Sequence, residues 1–477
     1  MKVKMILPAL AEARSRDWRP IKYALFPPLG LASLAGYLAD DDEIVIQDEH
    51  VETLDLSDEP DLVAIEVYVT SAYRSYELAD HYRRKGAHVA LGGLHVTSVP
   101  QEAALHADTV FMGPGEDTWP RFLADFRAGH PERLYRSSTR TLDGMPRVRR
   151  DLLKQHLYLA PTSIVVSRGC PHNCDFCYKE AFFKGGKSFY TATVDAALAE
   201  VESLPGRYVH FLDDNLFGDP RFAHDLFNGM AGMGKLWQAA GTVKAALDPE
   251  LLEAAVASGL RTLFVGFETL SSSNLLAQNK LQNVNRDYDE AIRRMHDLGV
   301  MVNASFVFGM DDDDDSVFDR TVEWAIRMGI ESATFHILTP YPGTALHERM
   351  SRDGRITDTD WDRYDTRHVV FRPAKMSPQT LQAGYRRAYR DFYKWSSILR
   401  SARVADTLAA QLRHVVYTGA WKKSDWLWKW VIRCNQVWRF TPVLAKLLEH
   451  SGGSSCPSPR ALPKLSRGSE APRGLCR

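Results

Sequence analysis

Three cysteines within eight residues constrain this chain more than any other feature: Cys170, Cys174 and Cys177, in the string SRGCPHNCDFCYKE. The spacing is C-x-x-x-C-x-x-C. Four thiolates close a metal site, whereas three leave one position open. On a cube of four irons, three cysteines hold three irons and leave the fourth free to bind another molecule. The run TSIVVS before the loop (residues 162–167) is apolar and β-branched, which predicts a buried strand. Arg168 and Gly169 then turn the chain, and Phe176 sets an aromatic ring beside the last thiolate. A zinc knuckle or a set of buried thiols is the alternative. Zinc sites pair C-x-x-C with a second pair of ligands, and none follows at a suitable distance. The other cysteines, Cys434, Cys456 and Cys476, are scattered near the C-terminal end.

A chain of 477 residues is long enough for two or three domains. Its net charge of −1 sets up no global field toward nucleic acid, and no nucleic-acid partner is expected. The opening MKVKMILPAL is too short for a secretory apolar region and has no small-residue cleavage site behind it, so it reads as a first strand. No apolar run reaches the length of a membrane span. Few cysteines, half of them in one motif, fit a reducing cytoplasm. Charge is uneven: residues 401–450 carry eight Lys/Arg against three Asp/Glu.

Residues 1–130 alternate strand and helix patterns. VKMILPA, EIVIQDE, DLVAIEVYVTS, HVALGG and DTVFMG are apolar, β-branched runs, with helical stretches such as PPLGLASLAGYLAD and YRSYELADHYRRKG between them. That alternation predicts an open parallel sheet, with a ligand crevice beyond the strands' C-terminal ends. Two glycine-rich strand ends stand there, Gly92-Gly93-Leu94-His95 and Gly113-Pro114-Gly115-Glu116. Residues 131–160 read as an irregular linker. Residues 161–345 hold six further strand–helix units, too few for an eight-unit barrel and suited to a partial one. Asp213, Asp214 and Asn215 close its second strand, Glu268 its fourth, and Asn303 and Ser305 lie on its fifth. The run Asp311 to Asp315 reads as a solvated helix N-terminus.

The C-x-x-x-C-x-aromatic-C loop after a strand resembles the signature of radical S-adenosylmethionine enzymes. The preceding domain, with PPLGLASLAGYL, the G-G-x-H strand end and the G-P-G-E turn, resembles the cobalamin-binding domain of one subclass. Pro114 departs from the glutamate usual in that turn. The resemblance implies an α/β fold: a Rossmann-like cobalamin-binding domain, then a partial (β/α)6 TIM-type barrel, then a helical C-terminal region. It implies a [4Fe–4S] cluster on Cys170, Cys174 and Cys177 and S-adenosylmethionine on its open iron. Phe176, Asp213, Asp214, Glu268 and Ser305 are implied as S-adenosylmethionine contacts. Thr70, Ser71, Gly92, Gly93, His95, Gly113, Gly115 and Glu116 are implied as cobalamin contacts. Asp48-Glu49-His50-Val51-Glu52-Thr53 comes near the D-x-H-x-x-G motif that places a histidine on cobalt in other cobalamin proteins. It has Thr53 where that motif has glycine and follows the second strand, so a surface loop is expected, and cobalt without a protein histidine.

Residues 346–450 read as helical, and their aromatic-rich first part resembles hopanoid methylases and the anaerobic porphyrin cyclase branch. The basic, Trp-rich string GAWKKSDWLWKWVIRCNQVWRF (residues 419–440) reads either as a terminal helix packed on its own protein or as an interfacial membrane helix, a peripheral membrane contact. Residues 451–477 read as a disordered tail. The implied activity is methylation of an unactivated carbon on a small-molecule, lipid or natural-product substrate. A flavodoxin or ferredoxin would serve as electron donor. Ring formation without methyl transfer, or a cluster- and cobalamin-holding sensor without turnover, are the alternatives.

Overall fold

The structure is a computed structural model, and it describes residues 1–14 and 21–423. The first sheet has six parallel strands: β1 (Lys2–Leu7), β2 (Glu43–Asp48), β3 (Leu62–Glu66), β4 (His88–Gly92), β5 (Thr109–Met112) and β6 (Leu134–Arg136), in the order β2-β1-β3-β4-β5-β6. The order reverses between β1 and β3, the topological switch at which doubly wound sheets open a crevice. The inner strands β1, β3 and β4 are buried on both faces, as parallel strands covered by helices on two sides must be. The stretch 131–160 is not wholly irregular, because it contributes β6: Tyr135 is fully buried against Phe111 and Phe122. The expected single strand at residues 162–167 is also split. β7 (Ser163–Ile164) joins the second sheet, whereas β8 (Ser167–Gly169) pairs antiparallel with β9 (Phe189–Thr191).

The second sheet continues with β10 (Tyr208–Phe211), β11 (Leu236–Gly241), β12 (Leu260–Glu268), β13 (Met301–Phe308) and β14 (Ser332–Ile337). Its order is β14-β13-β12-β11-β10-β7, six parallel strands in sequence, the open arc of a partial barrel. Alternate residues such as Val302, Ala304 and Phe306 pack outward against helix residues including Ala325 and Ile326. The opposite face carries the polar side chains of Asn303, Ser305, Ser332 and Thr334. Phe264, Asn303 and Ser332 lie side by side across three strands, as do Gly266, Ser305 and Thr334. The helices between strands start as their sequences dictate. Asp219 and Asp248 each cap a helix whose first residue is proline, accepting from Arg221 N and Leu251 N respectively.

Because the barrel is not closed, β14 is left as an edge. The helix Pro378–Phe392 and its C-terminal cap Tyr393 cover it with two phenols. Tyr393 Oη accepts from Ala333 N (3.1 Å) and donates to Ala333 O (2.9 Å), and Tyr389 Oη bonds Phe335 N and O in the same way. Helices Trp395–Ala402 and Leu408–Lys423 follow. No helix among the described residues is long and apolar enough to cross a membrane. Most of the Trp-rich string, the tail, and Cys434, Cys456 and Cys476 lie outside the described residues.

Candidate active site

The cysteine loop leaves the partial barrel at the C-terminal end of its first strand. Gly169 is the hinge. Its φ is +77°, and a Cβ there would come within 2.0 Å of Ser188 O, so only glycine fits. Cys170 N then donates to Ser188 O (3.0 Å), and Cys177 N to Cys174 O (2.9 Å). All three thiols are free. Burial raises the Cys174 thiol and pushes the Cys177 thiol up to about 11. Such thiols keep their protons until a metal takes the proton's place.

The segment after β12 braces this loop. Asp175 N donates to Gln278 O (3.1 Å), Asn279 Nδ2 to Asn173 O (2.6 Å), and Gln282 Nε2 lies 3.4 Å from Cys174 Sγ. Asn215 Nδ2 approaches Cys170 Sγ at 3.7 Å. Donors aimed at cysteine sulfurs are what an iron–sulfur site uses to tune its potential. Asn215 follows the second barrel strand as expected, whereas Lys280 and Gln282 carry no signal in the sequence. Nothing in the spacing between residues 268 and 288 distinguishes them from a surface turn. Glu268 sits at a bulge with φ +65°, buried, and its Oε1 accepts from the buried Lys280 Nζ at 2.5 Å. A non-glycine residue in that conformation is held there by its surroundings, a frequent property of ligand sites.

Asp213 is buried beneath the loop. Its Oδ1 accepts from Val166 N (3.1 Å), Ser167 N and Ser167 Oγ (both 2.5 Å), its Oδ2 has no partner, and burial raises the carboxyl to about 6. Asp214 points instead toward the gap between the sheets, within 2.8 Å of Lys179 Nζ and 3.3 Å of Tyr178 Oη. Phe176 is half-buried against the barrel core, and Ser305 lies on the polar inner row of β13.

That gap is a cavity of about 1090 Å³ between the two sheets. The first sheet supplies Glu66, Gly92, Gly93, Gly113, Gly115 and Glu116; the barrel side supplies Val166, Ser167, Arg168 and Asp214. Gly93 has φ +114°, and a Cβ would fall 2.8 Å from Val67 O. Arg168 Nε pairs with Glu116 Oε1 across the wall at 2.7 Å, and Arg150 pairs with Glu200 at 2.8 Å. Glu116 Oε2 is buried without a partner. A large ligand rimmed with amide N–H groups, as a corrin is, fits this glycine-lined wall and its orphan acceptor.

Three residues implied as cobalamin contacts are absent from the cavity wall. Thr70 and Ser71 lie in the buried turn Val69–Ser71, where Ser71 Oγ accepts from Tyr68 N and donates to Tyr68 O. His95 is enclosed by Tyr76, Trp361 and Glu102. The expected surface loop at residues 48–53 is a correction. Asp48 and His50 are buried, His50 Nδ1 lies 2.7 Å from Asp48 Oδ1, and His50 Nε2 accepts from Leu10 N at 3.2 Å. Both ring nitrogens are engaged, so the histidine has no lone pair to offer a metal. The aspartate run also differs from expectation. Asp312 and Asp314 stay near solvent, but Asp313 is buried and accepts from Gly309 N (2.9 Å), Met310 N (3.0 Å) and Asn274 Nδ2 (2.8 Å).

Comparison with known proteins agrees with this geometry. The Radical SAM superfamily model matches residues 164–325, and the B12 binding domain model matches residues 23–123. Bacteriochlorophyllide d C-12(1)-methyltransferase of Chlorobaculum tepidum is 32% identical over 351 residues, covering 71% of this chain and 76% of that protein. Bacteriochlorophyllide d C-8(2)-methyltransferase of the same organism is 27% identical over 383 residues, 75% of this chain and 83% of that one. Among solved structures, the radical S-adenosylmethionine methyltransferase TsrM of Kitasatospora setae superposes with a TM-score of 0.65 at 14% identity, over 91% of this chain and 99% of its own. The chain belongs to the cobalamin-dependent radical S-adenosylmethionine methylases. It is an enzyme of the C-methyltransferase kind, with a [4Fe–4S] cluster, S-adenosylmethionine and cobalamin as cofactors.

Proposed function

We propose that this enzyme methylates an unactivated carbon on the periphery of a tetrapyrrole macrocycle. The observation that carries the reading is the likeness to two bacteriochlorophyllide d methyltransferases, over 71% and 75% of this chain. In this reading Cys170, Cys174 and Cys177 hold the cluster, with Gln282 and Asn215 donating toward its sulfur ligands. Asp214, Glu268, Ser305 and Phe176 line the S-adenosylmethionine position, and Asp213 holds the loop's approach from below. Gly92, Gly93, Gly113, Gly115 and Glu116 would face cobalamin. When bound, the cluster supplies the electron that splits S-adenosylmethionine into methionine and a 5′-deoxyadenosyl radical, and cobalamin supplies the methyl group. The protein's own part is to set the cluster loop beside the gap between the sheets, which Asp214 lines from the barrel side. Arg168 and Glu116 clamp the two walls, and apolar residues such as Leu34, Phe111 and Val165 line the gap. A one-electron donor of the flavodoxin or ferredoxin class completes the system.

The test is anaerobic turnover with S-adenosylmethionine bearing a deuterated methyl group and a bacteriochlorophyllide acceptor. The expected product carries one labelled methyl, matched by 5′-deoxyadenosine. An acceptor that gains a ring without label assigns the enzyme to cyclisation instead. An acceptor left unchanged, while 5′-deoxyadenosine still forms, rejects the macrocycle.

A further inference from the structure

The helix Leu408–Lys423 is built inside out. Its inward face is polar: His414 and Thr418 are buried, Thr418 Oγ1 donates to Glu331 O (2.8 Å), and Tyr417 Oη reaches Asn303 Oδ1 on the barrel's inner row (3.5 Å). Its outward face is apolar. Leu408, Leu412 and Val416, one helical turn apart each, are 83%, 66% and 38% exposed. Trp395 extends the same surface, half exposed and lying over Gly419, where a Cβ would meet its ring at 3.2 Å. Leu399 stands one turn further along Trp395's helix, also half exposed. A helix in water puts its apolar stripe inward, so an outward stripe of this size marks a surface with a partner.

We propose that this face docks on an anionic lipid surface. The chemistry of the chain next to it selects that partner. In sequence the helix is followed by a stretch that lies mostly outside the described residues, and residues 419–440 hold five tryptophans together with Lys422, Lys423, Lys429, Arg433 and Arg439. Residues 401–450 carry eight basic side chains against three acidic ones. Leucine and valine in the acyl boundary, tryptophan at the headgroup level and lysine or arginine on phosphates is the pattern of a helix lying in the interface plane. A second copy of this chain would bring a like charge to the same face, which disfavours self-association. The inference stands apart from the choice of methyl acceptor.

Flotation of the full-length holoenzyme with vesicles tests it. Wild type is expected to float with phosphatidylcholine containing about one third phosphatidylglycerol, and roughly tenfold less with phosphatidylcholine alone or in high salt. The triple variant Leu408→Ser, Leu412→Ser, Val416→Ser is expected to lose roughly tenfold or more of that binding. Its circular dichroism and 5′-deoxyadenosine production should stay at wild-type level. Either of two flotation results overturns the proposal: wild type that stays at the bottom of the gradient with both vesicle types, or a triple variant that floats as wild type does. A wild-type dimer that the triple variant converts to monomer overturns it as well, in favour of a second copy.

Discussion

Cys174 is buried and faces the amide of Gln282 and the Lys280–Glu268 pair. Replacing it with alanine removes one of three anchors, and 5′-deoxyadenosine formation should disappear in an anaerobic assay. Gln282→Leu keeps the anchor but deletes the donor toward sulfur. A sulfur that loses a hydrogen bond holds an electron less well, so the cluster potential should fall, as read by a redox titration followed by electron paramagnetic resonance. An unchanged potential would show that the amide does not address the cluster. His210, on the inner face of β10, offers a pH test. Burial pushes its imidazole from 6.5 down to about 4, and its Nδ1 has no partner. Between those values the unfolded chain binds a proton that the folded chain refuses. This contribution to stability is complete above 6.5 and is lost as acid is added, by at most about 1.4 kcal/mol per pH unit. His210→Gln should flatten that part of the fall in urea midpoint from about pH 7 to about pH 5. At this scale the three cysteines were legible because their spacing is itself the signal. Lys280 and Gln282 were not, because a brace folded over from a distant loop leaves no periodicity behind.

Single elements explain where strand patterns misled. TSIVVS has an apolar, β-branched centre that reads as one strand, yet Ser167 leaves the barrel sheet to pair with Thr191, because Asp213 captures its N–H and hydroxyl. No local pattern encodes that capture. Gly169 enforces the consequence, and Gly169→Ala should cost the loop its geometry, seen as loss of iron uptake by protein that otherwise keeps its helical circular dichroism. The open edge of β14 was equally invisible in sequence. The tyrosines at 389 and 393 read as part of an aromatic-rich helix, and only the structure turns their hydroxyls onto a strand's backbone. Tyr393→Phe leaves Ala333 N and O unpaired in the interior, for about 1–3 kcal/mol. Denaturant unfolding should show a lower midpoint with an unchanged slope.

Across the whole molecule, two sheets of six strands face each other over one cavity, and their order along the chain was the most legible property of all. Alternating strand and helix signals fix parallel sheets, and parallel sheets place loops and ligands at the strands' C-terminal ends. How the sheets meet was not legible, since a contact between Glu116 and Arg168 depends on tertiary placement of residues 52 positions apart. That pair joins the cavity wall to the residue two before the first cluster cysteine. Arg168→Met leaves a buried carboxylate uncompensated, a cost on the order of 3 kcal/mol. It should loosen the cavity wall, so that the variant loses cobalamin on gel filtration while wild type retains it.

The chemistry of this enzyme depends on an iron cube bound at Cys170, Cys174 and Cys177. Anaerobic reconstitution with iron and sulfide, followed by reduction with S-adenosylmethionine present, addresses that directly. The prediction is brown protein holding about four irons that releases 5′-deoxyadenosine. Protein that stays colourless, takes up zinc in preference and yields no 5′-deoxyadenosine would contradict it.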